Sequence, residues 1–273
     1  MALTASMPSE GQDTPARTIT KIGEDLYWVQ SNIHYSVFLV TDQGIILVDP
    51  INRGFSEWLK GQLEERFDVP VRYVLYSHHH PDHASGGAVF EDTAQFIGHE
   101  NMIPGLAERD PPPDVIPPNV TYKDRMTIRL GGKAVELIYA GVTTHSNDLS
   151  IVRFPDANAI FSTDFIVGRQ VPGIWPVDGA QHLDAWLNAI RLAESLDYEI
   201  FAPGHGEVGS RTDVAANRRY LEELRDQVSV GLKDGRSLEE LQESIQMRSY
   251  QDWARYDDLH RRNVEAMYNI LTD

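Results

Sequence analysis

Four times along this chain a short, apolar, β-prone run is followed closely by histidine or aspartate. The densest case is Ser77-His78-His79-His80-Pro81-Asp82-His83, which puts four histidines and one aspartate into six residues directly after Val71-Arg72-Tyr73-Val74-Leu75-Tyr76. That run is rich in branched and aromatic residues and reads as a buried strand. A chain leaving a strand in extended form points residues i and i+2 the same way, so His78 and His80 can converge on one ion. Asp82 and His83 lie past the turn at Pro81 and can face a second ion. His145 lies between an apolar run ending near Tyr139 and another starting at Leu149. Asp164 closes Ala159-Ile160-Phe161-Ser162-Thr163, and His205 follows Phe201-Ala202-Pro203-Gly204. Open α/β sheets place their chemistry at the carboxyl ends of strands. Singly, such an aspartate reads as a helix cap and such a histidine as a turn residue. Four coincident strand ends favour a metal site. Imidazole and carboxylate donors suit Zn2+, with Fe or Mn as alternatives.

Taken in order, these residues resemble the five-motif signature of the metallo-β-lactamase-fold hydrolases. The pattern is His78-x-His80-x-Asp82-His83, then His145, Asp164 and His205, preceded by a hairpin over Ser36 to Pro50 that carries Asp49. The resemblance spans about residues 20–210. It implies an α/β protein with a four-layer αβ/βα sandwich. It also implies two Zn2+ per chain, one on His78, His80 and His145, the other on Asp82, His83 and His205, with Asp164 bridging. Asp49 would orient the histidine loop without being a ligand, and His79 and Pro81 fall outside the ligand pattern. The chemistry implied is attack on the carbonyl of an ester, lactone, thioester or β-lactam by a metal-bridging hydroxide, with Asp82 orienting it and carrying a proton to the leaving group. A bridging aspartate is more similar to the thioesterase and lactonase branches than to true β-lactamases. One alternative is a mononuclear Fe(II) oxygenase resembling the persulfide dioxygenases, built on His78, His145 and Asp164. A non-catalytic metal-binding protein is another, but it would be expected to have lost ligands.

Composition narrows the partners. A net charge of −17 over 273 residues argues against nucleic acid, which demands a basic groove. A small-molecule substrate is expected instead. The chain has no cysteine, so disulfides and thiolate ligands are excluded. No apolar run approaches the roughly 20 residues that a membrane helix needs, so no membrane partner is expected. Residues 1–16 are small and polar, unlike a signal peptide, and read as a mobile tail. A cytoplasmic location follows as an expectation, with a removed leader left open. Residues 17–273 read as a single domain, of which 235–273 form a helical extension.

Periodicity predicts strands at about 17–22, 25–30, 36–41, 44–49, 95–98, 125–130, 133–139, 148–154 and 158–163. Helices are expected at about 56–66, 182–196 and 211–232. Prolines forbid regular structure across most of residues 101–119, and residues 168–181 read as a second loop. With Ser31–Tyr35 these loops would shape a substrate pocket, for which Tyr35, Arg169 and Trp175 are the candidates. His99, His182 and His260 match no metal motif. The C-terminal helices either pack on the sandwich or form a homodimer through Trp253, Tyr256 and Met267.

Overall fold

The computed structural model describes residues 16–108, 114–175 and 180–272. Its first sheet runs in chain order, starting with the antiparallel strands β1 (Arg17–Lys21), β2 (Leu26–Ser31), β3 (His34–Thr41) and β4 (Gly44–Val48). Helix α1 (Arg53–Arg66) then crosses to β5 (Val71–Leu75), which pairs parallel to β4. The short α2 (Pro81–Ala84) leads to β6 (Gln95–His99), and α3 (Met102–Ala107) precedes β7 (Val120–Tyr122). Both of these strands add in parallel. The second sheet holds β8 (Arg125–Leu130), β9 (Lys133–Gly141), β10 (Leu149–Phe154) and β11 (Ala159–Ser162) as antiparallel neighbours. After α4 (Ala180–Ser195), β12 (Ile200–Pro203) joins it parallel to β11. Helices α5 (Arg211–Lys233), α6 (Leu238–Ser244) and α7 (Tyr256–Thr272) complete the chain.

Strand alternation sets the layers. On β3, Val37 and Leu39 point toward the second sheet, while Phe38 points toward α1. Both faces are buried, which is why the strand reads as a continuous apolar run. Between the sheets Val37, Leu39, Ile46 and Leu75 meet Leu137, Val152 and Phe161. Outside the first sheet α1 buries Phe55, Leu59 and Leu63, one face at a spacing of four. Outside the second sheet α4 contributes Trp186, Leu187 and Ile190, and α5 contributes Val214, Leu221, Leu224 and Val228. The result is the four-layer αβ/βα sandwich.

The differences from expectation have local causes. Helix α1 begins at Arg53 rather than near Ser56, because the Asn52 side chain caps it by accepting from Phe55 N–H at 2.9 Å. Ser56 turns inward and donates to Pro50 O at 2.9 Å. The proline-rich span holds α3, since Pro104 falls in its first turn, where an N–H has no helical acceptor to lose. Strand β7, three residues long, is too short to show alternation. Residues 1–15, 109–113 and 176–179 lie outside the described set, which covers most of the expected N-terminal tail and part of both loops. Of His182 only the backbone is described. Met267 is fully buried, and the partly buried Trp253 and Tyr256 pack against the same core. Among the described residues no helix is long and apolar enough to cross a membrane.

Candidate metal centre

The carboxyl ends of β4, β5, β11 and β12 and the β9–β10 loop meet at one edge of the sandwich. Asp49 follows β4, and the histidine loop follows β5. Pro81 opens α2 and so carries His83 inward on its first turn. In the β9–β10 loop, Thr143 Oγ1 accepts from the His145 backbone N–H at 3.0 Å and shapes the turn that presents this ring. Asp164 takes a left-handed φ of +66° just past β11, and no helix starts there, so it is not a helix cap. His205 depends on Gly204. A Cβ at that glycine would lie 2.0 Å from Thr163 Oγ1, so only glycine lets the two strand ends approach.

The side chains form two donor groups around Asp164. His78 Nε2 and His145 Nε2 are 3.1 Å apart and lie 3.2 and 2.7 Å from Asp164 Oδ2. His80 completes this group, with all four donors within 4.8 Å of one another. On the other side His83 Nε2 and His205 Nε2 are 3.3 Å apart and lie 3.3 and 3.0 Å from Asp164 Oδ1. Tetrahedral ligands on an ion with bonds of about 2.0–2.1 Å are separated by about 3.3 Å, so these spacings fit metal coordination. The donor set, nitrogen and oxygen only, also fits. Asp82 stands at the rim, half-exposed, with Oδ2 3.2 Å from His34 Nε2.

The family model of the metallo-beta-lactamase superfamily matches residues 31–205, well over half of the chain. The chain belongs to the metallo-beta-lactamase superfamily. Its relatives include the 2,4-dinitroanisole O-demethylase subunit alpha of Nocardioides sp. (strain JS1661), 25% identical over 195 residues, which are 70% of this chain and 58% of that protein. A probable hydroxyacylglutathione hydrolase of Schizosaccharomyces pombe is 25% identical over 65% of this chain and 66% of its own length. The chain thus matches less than two thirds of either relative. Among solved structures, a metallo-beta-lactamase from Pontibacter korlensis superposes with a TM-score of 0.66 at 20% identity, covering 76% of this chain and 99% of that one. That likeness is one of fold.

In this superfamily member the supports of the donors are visible. Asp49 is fully buried. Its Oδ1 accepts from Ser77 N–H at 2.8 Å and its Oδ2 from Ser77 Oγ–H at 2.5 Å. Ser77 Oγ lies 3.0 Å from His78 Nδ1, and His83 Nδ1 lies 3.4 Å from Asp49 Oδ2. One carboxylate therefore touches the supports of both groups. His79 points away from the donors, with Nδ1 3.0 Å from the buried Asp148. His99 donates to Lys123 O at 2.7 Å, and His260 to Ile245 O at 2.8 Å, so neither joins a donor group.

The electrostatics suit a cation. Burial, aided by His78 and His145, pushes His80 down to about 2, which leaves a neutral ring with a free lone pair. Burial likewise lowers His78. Burial works against a charged His83, but Asp164 and Asp49 outweigh it and raise its pKa. Burial also opposes ionisation of Asp164, yet His83 and His145 hold its carboxyl well below the usual range. An anion fixed among imidazoles is the arrangement that a metal ion completes.

A cavity of about 620 Å³ opens over the donors, lined by Ile33, His34, Val167, Trp175, Arg255 and Asp258 among others. Of the three expected pocket residues, only Trp175 lines it. Tyr35 stacks on Trp28 at 4.0 Å and is turned from the donors. Arg169 pairs with Asp252 at 3.2 Å on the exposed surface. The residue that faces the donors from the Ser31–Tyr35 segment is His34. Period-two alternation separates the two, since it puts His34 on the face of Phe38 and Tyr35 on the face of Val37, but which face meets the donors is set by packing. Arg255 and Asp258 come from the C-terminal segment, which sequence spacing ties to no motif.

Proposed function

We propose that this chain is a dinuclear zinc hydrolase acting on the carbonyl of an ester, thioester or lactone. One observation carries the reading: Asp164 gives Oδ2 to the group of His78, His80 and His145 and Oδ1 to the group of His83 and His205. A carboxylate so shared between two donor sets suits two ions. The relative named a hydroxyacylglutathione hydrolase agrees with a hydrolytic role.

Bound there, the ions would supply Lewis-acid polarisation of the carbonyl and a water acidified to near neutrality. The remaining tasks fall to the chain's own residues. Asp164 supplies negative charge between the two sets and sets their separation. Asp82, held well below the usual carboxylate range by its contact with His34, stays ionised at the rim of the second group. Ile33, Val167 and Trp175 give the cavity apolar walls that exclude water from one side of a substrate. Cavities of this size, about 300–1,000 Å³, admit small molecules.

Elemental analysis of the protein as purified, followed by a panel of ester, thioester and lactone substrates before and after chelation, tests this. The expected result is close to two zinc ions per chain and turnover that chelation abolishes. A single iron per chain with oxygen consumed in turnover would replace this reading by the oxygenase built on His78, His145 and Asp164.

A further inference from the structure

The second donor group contains an imidazole that the superfamily motif does not supply. His34 opens β3, just past the hairpin tip Asn32-Ile33. Its donor nitrogen and those of His83 and His205 lie within 4.8 Å of one another. Its ring centre is 4.8 Å from that of His205 and 5.4 Å from that of His83.

The hairpin that carries His34 is pinned to the strand end that carries His205. His205 Nδ1 donates to Ile33 O at 2.9 Å, which leaves Nε2 as the free acceptor facing Asp164. Tyr35 N–H donates to Gly204 O at 2.8 Å, and Trp28 Nε1 donates to Pro203 O at 3.1 Å. The hairpin thus sets the His205 tautomer and delivers a further ring to the same place.

We propose that His34 is a ligand at the second metal position, a third imidazole beside His83 and His205. This rests on the two-ion reading above. The contact of His34 Nε2 with Asp82 Oδ2 at 3.2 Å is close to the separation of two ligands on one ion, about 3.3 Å. A ring that served only to orient Asp82 would need no approach to His83 and His205. The second position then draws on three imidazoles and the carboxylates Asp82 and Asp164, against three imidazoles and Asp164 at the first. The richer set binds its ion more tightly.

Cobalt(II) titration of the apo protein, read by absorption and by hyperfine-shifted ring N–H resonances, tests this without turnover. Two ions and six shifted ring N–H signals are expected in the wild type, one each from His34, His78, His80, His83, His145 and His205. His34→Gln keeps a donor for Asp82 but offers a poor ligand. It should lose one signal and weaken one of the two sites by more than about 100-fold, beyond the roughly 10- to 100-fold that loss of an outer-shell partner costs, with the other unchanged. Added imidazole should restore the wild-type absorption. Five signals in the wild type, or a His34→Gln protein with wild-type affinity at both sites, would show that His34 only orients Asp82 and would overturn the inference while leaving two ions in place. One bound cobalt in the wild type would instead sink the two-ion reading and the inference with it.

Discussion

Asp164 is the residue on which the two donor groups depend. Asp164→Ala removes the carboxylate that both groups share, so it should lose one ion or loosen both. It should also lower kcat by about 100-fold or more, about 3 kcal/mol of transition-state stabilisation. Folding should survive, because β11 is held by the fully buried Ile160 and Phe161. Asp164→Asn should retain more metal, since an amide oxygen can still ligate, yet remain slow because the shared charge is gone. Metal analysis beside single-turnover kinetics separates the two variants. Two retained ions with near-normal turnover in Asp164→Ala would remove the bridging role. Trp175 tests the cavity at the same scale. Trp175→Ala should change KM or substrate preference and leave metal content intact. Metal lost from that variant would show that Trp175 supports the donors rather than the substrate.

Among the elements, the C-terminal helices show how polar residues can hide a packed face. Helix α7 buries Leu259, His260, Asn263, Val264, Met267 and Ile270. Asn263 donates to Pro172 O at 2.8 Å, accepts from Ile174 N–H at 3.0 Å, and so ties α7 to the loop that carries Trp175. Burial lowers the pKa of His260. The neutral ring is therefore favoured in the folded state, and the unfolded chain takes up the proton first. Its contribution to stability is complete above the unfolded value of about 6.5 and is lost as pH falls below it toward the lower folded value. Thermal melts of wild type and His260→Gln should differ little at about pH 7.5, whereas at about pH 5.5 the wild type should have lost more stability than the variant. Equal losses in the two proteins would show that the folded state accepts the proton freely.

At the scale of the molecule, the donors come from both sheets: His34, His78, His80 and His83 from the first, His145, Asp164 and His205 from the second. An ion bound among them ties the two halves of the sandwich together, so metal binding and folding are linked. At a free metal concentration about a hundredfold above Kd each site adds about 2.7 kcal/mol. Chelation should accordingly lower the melting temperature by about 5–10 °C for each ion removed, at about 2–4 °C per kcal/mol for a chain of this size. An unchanged midpoint after complete chelation would show that the edge is already rigid without metal.

By itself the sequence determined the kinds of donor, their order along the chain and their places at strand ends. Those signals are local: alternation marks a strand, and a polar residue at its close marks the chemistry. The layered fold was legible for the same reason, since every long apolar run belongs to a strand or helix with a buried face. Short or capped elements were less so, as α3 and the start of α1 show, because one proline or one asparagine decides them. Only the tertiary structure decided that the two oxygens of Asp164 go to different groups, that His34 rather than Tyr35 faces them, and that Arg169 turns to Asp252. Each of these depends on which distant segments pack together. The hairpin tip meets the end of β12 across most of the chain, and no spacing within either segment records that contact.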